Sequence, residues 1–140
     1  MIGIIVTGHG NFATGISSGL KLLFGTPEYF EPVDFPAFST PEILRNKIED
    51  SIQNLKECQT ILVLCDLVGG TPFNIASEIK LNTDRNIEVI GGTNFPMALE
   101  ALMGRMQETN EDFIEHVMES GRCQIKRYMA VESDDTELDE

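Results

Sequence analysis

The chain has no tryptophan, only three cysteines and two histidines in 140 residues, and 10 basic residues against 23 acidic ones. Each shortage excludes something. Cys58, Cys65 and Cys123 are odd in number and show neither a CxxC pair nor other metal spacing, so no disulfide framework and no metal site is expected. Thiols used this way fit a reducing cytoplasm. A formal net charge of −13 argues against a nucleic-acid partner, which selects a basic face. No apolar run approaches the roughly 20 residues of a membrane span. The N-terminus has no basic region leading to a cleavage site, so export is not expected.

What is present is regular. The length suits one domain with a core of its own. Its last nine residues, "ESDDTELDE", hold six carboxylates and no base. They read as a disordered, solubilising tail over residues 132–140, leaving residues 1–131 as the domain.

Apolar periodicity then divides the domain. "IGIIVT" is a continuous β-branched run, the signature of a strand buried on both faces. Phe12, Ile16, Leu20 and Leu23 follow at helical spacing. "YFEPVDF" predicts a second strand that begins late or lies near an edge, because of Pro32. Ser39, Thr40 and Pro41 predict a helix start, with Glu42 closing a capping box from Ser39, and Leu44, Ile48, Ile52 and Leu55 line its inner face. "TILVLCD" is the strongest strand and ends in "LVGGTPFN", where Thr71 is expected to cap and Pro72 to start a helix. "IEVIGG" predicts a fourth strand, followed by a helix striped by Leu99, Leu102, Met103 and Met106. Thr109 and Asp112 open a further helix carrying Phe113, Ile114, Val117 and Met118, closed near Gly121. "CQIKRYMAV" is a last extended segment. Strands alternating with helices of this length predict an α/β fold: a four-stranded parallel sheet with helices on both faces.

Ligands of such sheets bind beyond the carboxyl ends of the strands, at the switch point of the topology. The loops expected there are "TGHGN", a loop beginning near Asp34, "DLVGGTP" and "GGTNFP". Three are rich in glycine, hydroxyl or amide groups and lead into helix N-termini, an arrangement that suits phosphate. His9 stands in the first, and Asp66 ends the strand that opens the third. A histidine reacting through one ring nitrogen needs the other fixed by an acceptor, and Asp66 supplies a carboxylate for that. None of the three loops holds Lys or Arg, the residues with which kinases and phosphatases clamp phosphate. Their absence fits a site that holds phosphoryl briefly and hands it on.

Other signals are weaker. His116 has Asp112 and Glu119 as helical neighbours and reads as a solvated helix residue. "GISSG" matches a nucleophile-elbow pattern but falls inside a helix, where that elbow cannot form. Cys65 and Asp66 point to opposite faces, which makes Cys65 a core residue.

"VTGHGNFATG", "LVLCDLVGGTPFN" and "GGTNFPM", in this order, resemble the mannose-type IIA component of the bacterial phosphoenolpyruvate-dependent sugar phosphotransferase system, over about residues 1 to 130. The resemblance implies that His9 accepts phosphoryl from the small carrier HPr and passes it to a IIB protein or domain. It implies that Asp66 orients and charges His9, that Gly69, Gly70 and Thr71 hold phosphate oxygens, and that Asn94 borders the pocket. It implies no metal or organic cofactor, contact with the membrane only through the transporter, and a homodimer whose last strand, residues 124–131, pairs antiparallel with the partner's sheet. Ile125, Met129 and Val131 share a face of that segment, interrupted by Arg127. No IIB domain follows, so a free-standing cytoplasmic protein is expected.

Leu67 and Val68 stand where mannose members often carry an aromatic residue, and Thr71 replaces a common serine. "TGHG", "VDFP" and "DLVGGTPF" look more like members serving galactosamine or N-acetylgalactosamine. Two alternatives are a subunit phosphorylating dihydroxyacetone kinase, which resembles S-H-S around its histidine and lacks the GGTPF loop, and a non-catalytic regulatory module of the same fold. A phosphohistidine hydrolase is disfavoured by the missing arginines.

Overall fold

The apolar runs predicted as strands lie side by side in a computed structural model that describes residues 1–106 and 111–131. The order along the chain is β1 (Ile2–His9), α1 (Phe12–Phe24), β2 (Phe30–Phe35), α2 (Pro41–Asn54), β3 (Thr60–Cys65), α3 (Thr71–Leu81), β4 (Asn86–Ile90), α4 (Phe95–Gly104) and α5 (Glu111–Cys123). All four strands are parallel, in the order β2-β1-β3-β4. Those that read as unbroken apolar runs, β1 and β3, are the central pair. Pro32 falls in the outer strand β2, as expected of a residue without an N–H to donate.

Side chains alternate between the two faces of the sheet. Ile2, Ile4, Val6, Leu62 and Leu64 pack with Ala13 and Leu20 of α1, Met97, Ala98 and Ala101 of α4, and Phe113 and Val117 of α5. Ile5, Ile61 and Val63 pack on the other face with Leu44 and Ile48 of α2 and Ile75, Ala76 and Ile79 of α3. Each fully buried aliphatic side chain contributes about 1.5–3 kcal/mol, so the two layers fix the strand ends, and with them the site.

Several local expectations are corrected. Helix α1 turns Ala13, Ser17 and Leu20 inward and leaves Leu23 59% exposed. Helix α4 does the same with Met97, Ala98 and Ala101, while Met103 and Met106 face solvent. Small residues let both helices approach the sheet and each other closely. A Cβ on Gly19 would lie 2.8 Å from Phe95 of α4. The N-cap of α2 is Thr40, whose Oγ1 accepts from Ile43 N–H, in place of the capping box from Ser39. Helix α5 ends at Cys123, two residues past Gly121 and so near it as expected; a Cβ on Gly121 would meet Met97 Cγ at 2.5 Å. Residues 125–131 carry no regular secondary structure, and Ile125, Tyr128, Met129 and Val131 are exposed. Thr109 and the acidic segment 132–140 lie outside the described residues.

Candidate functional site

The chain leaves β1 toward β2 on one side and returns to β3 on the other, so the switch point lies between the carboxyl ends of β1 and β3. His9 is the last residue of β1, and Asp66 immediately follows β3. Register sets Thr7 beside Cys65, and Gly8 therefore beside Asp66. A Cβ on Gly8 would sit 2.8 Å from Asp66 Cγ, so glycine there is what admits the carboxylate. That requirement is the signal a reading of the sequence passes over, since Gly8 looks like one more loop glycine.

Asp66 Oδ2 accepts from the backbone N–H of His9 at 2.9 Å and lies 2.9 Å from His9 Nδ1. A carboxylate can only accept, so the neutral ring donates from Nδ1 and keeps its lone pair on Nε2. The His9 side chain is 45% exposed and the Asp66 side chain 16%, which leaves the nucleophile reachable and its orienting partner shielded. Phe35, level with His9 on β2, meets the imidazole edge-on with ring centroids 5.8 Å apart. Gly70 closes the third side: a Cβ there would lie 2.8 Å from His9 Cε1 and 3.5 Å from Nε2.

Four helices follow strands and aim their N-termini at this edge, and three are closed by side chains. Thr40 caps α2. Asp34 of β2 accepts from Thr14 N–H at 3.0 Å and from Thr14 Oγ1 at 2.7 Å, closing the first turn of α1. Asn94 caps α4 through Oδ1 to Met97 N–H, while its Nδ2 donates to the Gly121 carbonyl at 3.1 Å. Helix α3 differs. Its N-cap is Gly70, which has no side chain, and the expected cap Thr71 is instead the first helical residue. The first-turn N–H groups of α3 are thus left without a side-chain acceptor, next to Nε2 of His9. Gly69, at φ +84°, makes the turn that brings them there.

The structure therefore brings His9, Asp66, Gly70 and the start of α3 together. Both polar atoms of the Asn94 side chain are engaged on α4 and α5. Leu67 and Val68 are exposed beside the site. Cys65 is buried, and burial first and the Asp66 charge second push its thiol up to about 12. Among the described residues no group of three or more His, Cys, Asp or Glu is placed to hold a metal ion.

Residues 3–118 match the family described as "PTS system fructose IIA component", EIIA-man. The chain belongs to that family. It is 32% identical over 130 residues to the "PTS system mannose-specific EIIAB component" of Escherichia coli K12, covering 92% of this chain and 40% of that protein. It is 27% identical over 117 residues to the "PTS system fructose-specific EIIA component" of Bacillus subtilis, covering 84% and 80%. The crystal structure of phosphotransferase system component EIIA from Streptococcus agalactiae superposes with a TM-score of 0.83 at 37% identity, covering 91% and 97%. The chain is thus a phosphotransferase-system IIA component, with the fold of the solved EIIA proteins. Its alignment spans well under half the length of the E. coli relative, which carries a IIB part in its name. No helix among the described residues is long and apolar enough to cross a membrane.

Proposed function

We propose that this EIIA-man protein is a phosphoryl carrier, with Nε2 of His9 as the carrying atom. The observation that supports this most is the coincidence of two features on one ring: Nδ1 against the Asp66 carboxylate and Nε2 against the start of α3, whose first turn, unlike those of α1, α2 and α4, receives no side-chain oxygen among the described residues. The lone pair of Nε2 attacks phosphorus, the bond from phosphorus to the donor breaks, and that electron pair returns to the donor. The imidazole gains positive charge as the new bond forms, and Asp66 offsets it at Nδ1–H. The phosphoryl oxygens fall toward Gly70 and Thr71, where the Thr71 N–H and hydroxyl and the dipole of α3 receive them; the Gly70 N–H is held by the Leu67 carbonyl. Transfer onward is the same step reversed. The family reading makes HPr the donor and a IIB protein or domain the acceptor, in a system for a mannose-type or N-acetylgalactosamine-type sugar in the cytoplasm. A homodimer completes it: among the described residues the outer edge of β4 is unpaired in the sheet, and residues 124–131 offer exposed apolar side chains to such an edge.

Intact-protein mass spectrometry after incubation with phosphoenolpyruvate, enzyme I and HPr tests the carrier. One acid-labile phosphoryl adduct is expected, dependent on HPr and absent in His9→Ala. A folded protein without an adduct, or an adduct retained by His9→Ala, overturns the assignment. Asp66→Asn keeps the shape but removes the charge partner, and a rate loss of more than about tenfold is expected.

A further inference from the structure

Three side-chain oxygens among the described residues are buried without a hydrogen-bond partner: Thr7 Oγ1, Asp66 Oδ1 and Thr93 Oγ1. Buried polar atoms are almost always paired, and an unpaired carboxylate oxygen is the costliest of these to leave. Thr7 is on the wrong side to serve it. It is level with Cys65 and shares the face of Ile5, whereas Asp66 lies on the face of Leu62 and Leu64. Thr93 is on the right side. Its N–H donates to the Cys65 carbonyl at 3.0 Å, and in parallel pairing that bond sets Thr93 level with Asp66. The β3–β4 pairing ends at Leu64 with Ile90, so two residues after that pair on β3 run against three after it on β4, and Gly91–Gly92 absorb the extra one as a bulge. Level residues place their side chains on one face. The Asp66 carboxylate accordingly stands between Gly8, whose bare Cα admits it toward His9, and Thr93, which is 6% exposed.

We propose that Thr93 is a positioning residue whose hydroxyl supports Oδ1 of Asp66 through one shared water, and so holds the carboxylate that orients His9. Oδ2 is already committed twice to His9, and the Thr93 hydroxyl supplies the second oxygen on the side away from Gly8. The purpose of this device rests on the phosphoryl-carrier reading; its geometry does not.

The test uses the full unphosphorylated chain, with the ring nitrogens of His9 observed by 15N NMR at alkaline pH, where their shifts report which nitrogen holds the proton. In the parent chain His9 is expected in the Nδ1–H form. Thr93→Val keeps the shape and exchanges the hydroxyl for a methyl. It is expected to lower the ratio of Nδ1–H to Nε2–H about fivefold, the size of one ordinary hydrogen bond. Phosphoryl acceptance from phospho-HPr slows by a similar factor, and Thr93→Ser keeps both within about twofold. If Thr93→Val does not fold, Thr93→Ala is measured the same way. A folded Val or Ala variant with the parent's tautomer ratio overturns the proposal, as does a Ser variant shifted as far as Val. A role in packing alone lowers thermal stability and leaves the tautomers unmoved. Should the tautomers shift while the parent chain accepts no phosphoryl group, the carrier reading fails and the positioning of Asp66 stands.

Discussion

Two loops of nearly the same composition lead into helices at the working edge of the sheet: "GGTPF" after β3 and "GGTNFP" after β4. Each has one glycine at positive φ, Gly69 at +84° and Gly92 at +76°. The two agree through Gly-Gly-Thr, but the second places Asn94 and Phe95 before its proline, and Asn94 decides what the loop becomes. With Asn94 available as N-cap, α4 closes its own first turn and Thr93 is pressed into the interior beside Asp66. Without an equivalent, the cap of α3 falls on Gly70, and Thr71 enters the helix with its first-turn N–H groups uncovered. A glycine-rich loop before a helix is therefore not in itself an anion site. What counts is whether a side chain has already taken the helix's free donors.

Alanine at the glycines sharpens this contrast most. Gly70 has an ordinary φ of −76°, so Gly70→Ala strains no backbone; its methyl simply meets His9 Cε1 at 2.8 Å. Displacing the ring by a fraction of an ångström is expected to slow phosphoryl acceptance by about ten- to a hundredfold, with melting temperature little changed. At Gly92 the added Cβ meets nothing within 4 Å, but the residue sits at φ +76°. Gly92→Ala is expected to cost about 1–2 kcal/mol of stability and to leave the rate within about twofold. Denaturant titrations and single-turnover phosphorylation of the two variants check both halves. Equal rate losses at the two glycines would erase the distinction.

Asn94→Ala tests the closed loop from inside. It removes the cap on Met97 N–H and the bond to the Gly121 carbonyl together. A loss of about 1–2 kcal/mol is expected, with the His9 adduct still forming at a rate near the parent's. A rate loss as large as that of Gly70→Ala would return Asn94 to the phosphate pocket.

Most of this fold was legible in the chain because both faces of a parallel sheet are covered, so β1 and β3 read as apolar runs without interruption. His9 and Asp66 were legible too, as polar residues at the ends of those runs. Three things were not. Helices α1 and α4 bury Ala13, Ser17, Ala98 and Ala101 beside Leu20 and Met97, and a reading by apolar bulk chose Leu23, Met103 and Met106 instead, which are outside. The helix caps depend on a shift of one residue, between Ser39 and Thr40 or between Gly70 and Thr71, which composition does not fix. The closing of α1 by Asp34 joins residues 20 apart in sequence and exists only once β2 lies beside β1. The role of Gly8 is hidden for the same reason, since its neighbour Asp66 is 58 positions away and becomes adjacent through register alone.

The smallest effect concerns Cys65, which sits under both loops: its carbonyl takes the Thr93 N–H and its thiol is buried on the face opposite Asp66. Burial, and less strongly the Asp66 charge, raise the thiol from 9.0 to about 12. In the unfolded chain the thiol ionises first, so between those two values the unfolded state binds fewer protons than the folded one. Stability from this group is therefore complete below about pH 9 and declines as pH rises toward 12, with a slope approaching 1.4 kcal/mol per pH unit, or about tenfold in the unfolding equilibrium. Urea unfolding at pH 8, 9.5 and 10.5 is expected to show a steeper alkaline decline for the parent chain than for Cys65→Ala, whatever the offset between them from the cavity. In parallel, exposed Cys123 is expected to alkylate at pH 8 while Cys65 stays unmodified until the chain unfolds. Declines of equal slope would mean that water reaches the thiol in the folded state. The floor beneath Thr93 and Asp66 would then be wet, and the contrast between an open loop over α3 and a sealed one over α4 would narrow to the caps alone.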